Sequence, residues 1–238
     1  MLALMLATIV FALLGPDASE ASPLERRACS KYQIITARGT GIAQGSTTGY
    51  TGMLGTVLKR VSGGSHYDLV YPANGNFVFP PPTSQDSGVA NLTAYLQASV
   101  KSCPSQTYAL IGYSQGAEVI NRVLLNVNST TNATLWNLVK AVVYVGNPSH
   151  HPNNAANFDQ DGGNLTQPFT GEGIWPGISA PLTPYIKAKK LHDICYTHDD
   201  VCASDDPNKV AFKYHMWYEN TTSVQAQGSN FMIAKLTA

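Results

Sequence analysis

The segment Thr107–Gly116, TYALIGYSQG, constrains the fold of this chain more than any other stretch. A short apolar run, Tyr108–Ile111, leads into Gly112-Tyr113-Ser114-Gln115-Gly116, which has the form Gly-x-Ser-x-Gly. Apolar residues then recur at Val119, Ile120, Val123, Leu124 and Val127, the spacing of an amphipathic helix. Strand, sharp turn and helix is the context in which this motif forms a nucleophile elbow. The serine sits in a strained turn, and a Cβ at either flanking glycine would crowd the neighbouring strand or helix. The turn lifts the Ser114 hydroxyl above the sheet edge. It also aims the Gln115 N–H and the start of the helix at one point, where an oxyanion would be held.

The rest of the chain repeats the strand–helix alternation. Tyr32–Ala37 reads as a strand closed by the turn Arg38-Gly39-Thr40-Gly41, and Met53–Val61 carries a helical stripe. His66–Tyr71 reads as a strand ending at Pro72, followed by a Pro/Gly loop over 74–82. Val89, Leu92, Leu96 and Val100 mark a helix that starts near Ser84 or Ser87. Leu138–Val145 and Lys189–Cys195 read as strands and Val224–Leu236 as a last helix, while 147–185 shows no periodicity. Strands alternating with helices predict an α/β protein, a three-layer sandwich around a central, mostly parallel sheet. In such sheets the site lies at the carboxyl ends of the strands, where Ser114, Thr40 and the loops after Val145 and Cys195 fall.

Leu2–Leu14 is a single apolar run followed by small residues. It reads as a secretory signal over residues 1–21, too short to span a membrane. Arg26-Arg27 would allow a pro-segment to residue 27, leaving 28–238 as one domain. A secreted location suits the four cysteines. These allow three pairings; Cys195 and Cys202 are the natural local pair, which would leave Cys29 with Cys103. It also suits five Asn-x-Ser/Thr sequons, at Asn91, Asn128, Asn132, Asn164 and Asn220. Lys+Arg and Asp+Glu are both 15, so no electrostatic case exists for nucleic acid or an anionic membrane. No Cys-x-x-Cys or paired Cys/His spacing supports zinc. Asn157-x-Asp159-x-Asp161-Gly162 resembles half a calcium loop, but its twelfth position is Pro168 rather than a bidentate Glu, so a turn is expected.

A serine nucleophile needs a base, and the base an orienting acid. In α/β hydrolases they follow in the order Ser, Asp, His. Past Ser114 the chain offers His150, His151, His192, His198 and His215, with Asp159, Asp161, Asp193, Asp199, Asp200, Asp205 and Asp206 as acids. Only His215 follows every one of these acids.

Here a family resemblance becomes specific. Cys195-Tyr196-Thr197-His198-Asp199-Asp200-Val201-Cys202 resembles the cutinase pattern Cys-x-x-x-Asp-x-Val-Cys, and Gly112–Gly116 resembles the cutinase serine motif at every position. Arg38-Gly39-Thr40 resembles the turn that family uses at its oxyanion hole, and Cys103-Pro104 before the elbow strand also fits. The resemblance implies an α/β-hydrolase fold and a serine esterase acting through an acyl-serine intermediate. It implies Ser114 as nucleophile, His215 as base and Asp199 as orienting acid, since Asp200 occupies the variable position. Gln115 and Thr40 would supply the oxyanion hole, Thr40 through its N–H and its hydroxyl. The same resemblance implies the disulfides Cys29–Cys103 and Cys195–Cys202, no metal and no cofactor.

The substrate is less constrained. Phe77, Val78 and Phe79 on the loop after the second strand, with Met216 and Trp217 beside His215, would form an apolar rim suited to an acyl chain. That favours a cutin-like polyester or short and medium acyl esters, hydrolysed by a monomer outside the cell. One alternative is an acetylxylan esterase, which shares the serine motif. Another is an inactive surface-binding glycoprotein on the same scaffold, against which the intact Ser/Asp/His set argues.

Overall fold

A computed structural model describes residues 29–75, 83–173 and 180–238. The signal, the processing site and the rim residues Phe77, Val78 and Phe79 lie outside the described residues. Six strands form one parallel sheet in the order β2-β1-β3-β4-β6-β5. They are β1 (Tyr32–Ala37), β2 (Gly64–Asp68), β3 (Thr107–Tyr113), β4 (Val139–Val145), β5 (Asn157–Phe158) and β6 (Leu191–Ile194).

Strand alternation sorts the core into two halves. Ile35, Leu110 and Val142 point to the face covered by α2 (Ser84–Ser102) and α3 (Gln115–Leu124), through Leu92, Leu96, Val119, Ile120 and Leu124. Ile34, Ala109, Ile111, Ala141 and Val143 point to the other face, covered by α1 (Thr51–Arg60) and α6 (Thr222–Leu236) through Met53, Val57, Val224 and Met232. Helices therefore lie on both sides of the sheet, the three-layer α/β arrangement expected. No helix of the described residues is long and apolar enough to cross a membrane.

Several boundaries differ from the sequence reading for local reasons. The second strand ends at Asp68, not Tyr71. The buried Arg38 guanidinium takes up the carbonyls of Leu69 (3.2 Å), Tyr71 (2.5 Å) and Pro72 (3.3 Å), which turns this segment away from the ladder. Helix α2 is capped by Thr83, whose hydroxyl accepts from the Asp86 N–H while Asp86 accepts from the Thr83 N–H, a capping box. Leu138 closes a short helix, α4 (Ala133–Leu138), and the strand begins one residue later. The aperiodic segment contributes the two-residue β5 and the start of α5 (Thr183–Lys187). Its Asp159 accepts the N–H groups of Asp161, Gly163 and Leu165 at 2.9–3.1 Å, building a turn around one carboxylate.

Cys29 is bonded to Cys103 at the amino end of the sheet, and Cys195 to Cys202 just past β6. Asn91, Asn132, Asn164 and Asn220 are exposed and Asn128 is half-buried, so none of the five sequon asparagines is enclosed.

Candidate active site

The elbow is built by close packing. A Cβ at Gly112 would lie 2.5 Å from Ala117 Cα, and one at Gly116 would lie 2.0 Å from the Ala37 carbonyl oxygen. Strand β3 can thus bend into α3 only with glycine at both places. Ser114, between them, is held at φ 52° and ψ −123°, a left-sided conformation costly for a residue with a side chain. Its N–H donates to Val145 O (2.9 Å) at the end of β4, and its carbonyl accepts the N–H of Ala117 (2.8 Å).

The histidine arrives at the same strand end. His215 lies on a short 3₁₀ turn, Tyr214–Met216, and is buried. A Cβ on Gly146 would sit 2.8 Å from its Cε1, so the imidazole rests on the residue next to the one that binds the Ser114 N–H. Tyr113, the motif's second residue, stacks on the imidazole with centroids 5.4 Å apart and donates its hydroxyl to the His215 carbonyl at 2.6 Å. Serine and imidazole are gathered around Val145–Gly146 by these contacts.

Asp199 meets the far side of the ring. His215 Nδ1 lies 2.9 Å from Oδ2 and 3.1 Å from Oδ1 of this fully buried carboxylate. The Val201 N–H donates to Oδ1 (2.8 Å) and the Tyr218 hydroxyl to Oδ2 (2.5 Å). The other acids are engaged elsewhere. Asp200 accepts the Phe212 N–H, Asp205 the Thr170 N–H, Asp206 pairs with His198, and Asp193 with His150. His192 is stacked between Phe158 and Phe231, and burial pushes it down to about 4.

Two loops meet at the elbow, where a Cβ on Gly39 would lie 3.3 Å from Ser114 Cβ. Gln115 opens α3 and Thr40 follows β1, and neither N–H has an acceptor among the described residues. The Gln115 side chain ties the two loops together: its Nε2 donates to Thr40 Oγ1 (3.1 Å) and to Asn74 O (3.0 Å), and its Oε1 accepts from Ser84 Oγ (2.8 Å). Because the Thr40 hydroxyl accepts here, its own proton is directed elsewhere. Arg38, read from sequence only as part of a turn, holds this loop by donating to Ile42 O and Gln44 Oε1, each at 2.7 Å.

Met216 and Trp217 are 59% and 42% exposed beside His215, with Phe212 also exposed. Tyr218, one of the aromatics that the sequence places around His215 as an apolar rim, is instead fully buried, with its hydroxyl on Asp199. No local pattern marks this contact, because His215 and Tyr218 lie on two successive short 3₁₀ turns, Tyr214–Met216 and Tyr218–Asn220, and Asp199 is 19 positions away.

The family model for cutinase matches residues 28–236. The chain belongs to the cutinase family. The carboxylesterase Culp1 of Mycobacterium tuberculosis is 28% identical over 196 residues, 82% of this chain and 76% of its own. Acetylxylan esterase 2 of Talaromyces purpureogenus is 31% identical over 139 residues, 52% of this chain and 59% of its own. Among solved structures, a cutinase-like protein from Cryptococcus sp. superposes with a TM-score of 0.76 at 29% identity, covering 88% of this chain and 96% of its own. The chain is a carboxylic-ester hydrolase of this family.

Proposed function

We propose that the chain hydrolyses carboxylic esters by acyl transfer to Ser114, with His215 as the base and Asp199 as the acid that orients it. The observation that carries this reading is the buried Asp199–His215 pair seated on Gly146, next to the strand end that binds the Ser114 N–H. His215 Nε2 takes the Ser114 Oγ proton as Oγ attacks the ester carbonyl. The negative charge that develops on the carbonyl oxygen is received by the Gln115 and Thr40 N–H groups, the Thr40 hydroxyl and the amino end of α3. Asp199 stabilises the imidazolium through Nδ1. That imidazolium then gives its proton to the departing alkoxide, leaving acyl-Ser114. Water, deprotonated by the same imidazole, releases the acid and restores the serine.

For substrate, the reading is a short or medium acyl ester or a cutin-like polyester outside the cell. The exposed Met216 and Trp217 support an acyl-facing rim, and two disulfides with accessible sequon asparagines support secretion after removal of the amino-terminal apolar run. The likeness to an acetylxylan esterase supports a second reading, an acetyl esterase acting on a decorated polysaccharide. A series of p-nitrophenyl esters from acetate to decanoate, run with the wild type and Ser114→Ala, tests both. Hydrolysis lost in Ser114→Ala and rising beyond acetate fits the first reading. Acetate as the best substrate, with longer chains rejected, moves the assignment to the second. Full hydrolysis in Ser114→Ala would remove the acyl-serine mechanism.

A further inference from the structure

Asp199 has more partners than orientation of one imidazole requires. Two fixed donors, the Val201 N–H and the Tyr218 hydroxyl, occupy one lone pair on each oxygen and leave a single edge for His215 Nδ1. The Tyr218 bond is short at 2.5 Å and wholly buried, the kind of charge-assisted contact that changes how much negative charge the carboxylate presents. Burial first, and then the Asp199 charge, push this phenol far above its ordinary range, so it stays a donor.

Tyr218 is itself tightly placed. Its oxygen accepts the Tyr196 N–H (2.8 Å) and lies 3.4 Å from Cys202 Sγ, so it touches both ends of the disulfide ring that carries Asp199. Its carbonyl accepts from Gln225 Nε2 (2.8 Å), which also donates to Gly49 O (3.0 Å), anchoring the turn to α6 and to the loop before α1. The aromatic ring meets Tyr113, Tyr196 and His215 edge-on at 5.9–6.1 Å.

We propose that Tyr218 is a positioning residue of the esterase, whose hydroxyl fixes the Asp199 carboxylate and withdraws part of its charge, thereby setting the basicity of His215. The inference rests on the triad reading above. Glu172 is a second carboxylate whose charge reaches His215, but it does not bond Nδ1; without the hydroxyl, Asp199 would present its full charge to Nδ1–H and hold the imidazolium more tightly. The proton would then leave His215 only at higher pH, and the carboxylate would be free to swing.

Tyr218→Phe keeps the ring and removes the hydroxyl. The expected result is kcat lowered roughly 10- to 100-fold with KM within about twofold, by analogy with other second-layer partners of catalytic groups. The acid limb of the kcat/KM profile should move up by roughly half to one pH unit. The His215 imidazole, followed by NMR, should titrate upward in step, whether or not turnover is measured. Replacing Tyr218 with 3-fluorotyrosine, a more acidic donor of nearly the same shape, should move both the other way, and it decides the question if Tyr218→Phe fails to fold. An unchanged His215 titration in the folded variants, with only thermal stability lowered, makes Tyr218 a packing residue and overturns the proposal. Persistent hydrolysis in His215→Ala would instead defeat the triad reading, a distinct outcome.

Discussion

Two histidine–aspartate pairs lie buried at the carboxyl end of this sheet, and they are not equivalent. His150 Nδ1 lies 3.0 Å from Asp193 Oδ2, and His215 Nδ1 lies 2.9 Å from Asp199 Oδ2. By distance and burial the first is as good a dyad as the second. The difference is at the other nitrogen. His150 has no exposed surface and its Nε2 faces the Thr166 carbonyl at 3.3 Å, so both nitrogens are spoken for. His215 is capped on Nδ1 alone among the described residues and sits against Gly146 at the serine elbow. Their acids differ as well. Asp193 belongs to β6 and has one oxygen without a partner among the described residues, whereas Asp199 lies in the disulfide ring with donors on both oxygens. A carboxylate–imidazole pair with both nitrogens occupied is a structural clamp, whereas the pair proposed for catalysis leaves one nitrogen uncapped beside the serine elbow.

The largest test of this contrast is deletion of each partner. His215→Ala and Ser114→Ala are each expected to lower kcat by on the order of 10⁵-fold or more with little change in melting temperature. Asp199→Asn should cost on the order of 10⁴-fold, because an amide favours the wrong imidazole tautomer. Asp193→Asn should instead lower stability by about 1–3 kcal/mol, read from urea unfolding, while the folded fraction hydrolyses esters normally. A crippled kcat in Asp193→Asn, or a mild effect in Asp199→Asn, would exchange the roles assigned to the two pairs.

The His150–Asp193 pair should also make stability depend on pH. Burial pulls His150 down, but the Asp193 carboxylate, its hydrogen bond and the Thr166 carbonyl outweigh it, and the net shift is upward from 6.5. A histidine with a raised folded-state value stabilises the fold fully below about 6.5, and that contribution fades as pH rises through the folded value. The unfolding free-energy difference between wild type and His150→Gln should therefore be largest near about pH 5–6 and shrink towards about pH 9. A difference that grows with pH would show that His150 is buried as the neutral imidazole.

How Asp199 is held gives the next comparison. Cys195→Ser with Cys202→Ser opens its ring and should lower kcat by roughly tenfold, since small misplacements of catalytic groups are costly. Cys29→Ser with Cys103→Ser, at the amino end of the sheet, should lower stability by about 2–4 kcal/mol and leave kcat alone. Equal effects on kcat would mean that the ring does not position Asp199.

Much of this arrangement was legible in the sequence, and the reasons are local. Strand β3, the elbow and α3 declare themselves because a short apolar run, two glycines and a 3.6-residue stripe are short-range signals. Chain order separates His215 from the other histidines, but it cannot choose among the aspartates before it; the cysteine-bounded motif does that. What the sequence hides depends on partners far along the chain. The β2 boundary is set by Arg38, β5 is only two residues long, and Tyr218 acquires its meaning from a carboxylate 19 positions away. The His150–Asp193 clamp is equally non-local, joining residues 43 apart that no motif links.

The smallest expected effect concerns what surrounds the two histidines. His150 is enclosed, whereas the turn carrying His215 continues into Met216 and Trp217, both exposed. An acyl chain on Ser114 that lies along this turn would bury about 0.8 kcal/mol per CH₂, roughly fourfold in binding for each. Two added methylenes then give more than about tenfold in kcat/KM if the contact persists in the transition state. Trp217 is held edge-on to Tyr196 and Tyr214, at 5.9 and 4.9 Å, with Lys213 Nζ 5.3 Å from its ring centroid, so it offers a fixed surface rather than a mobile one. Trp217→Ser should accordingly reduce kcat/KM for butyrate by roughly three- to tenfold while changing that for acetate by less than about twofold. Acetate is the internal control, because it lacks the methylenes whose burial against the indole is under test. If both esters fall equally, Trp217 supports the His215 turn instead of the substrate, and the acyl-facing rim would have to be sought elsewhere around Ser114.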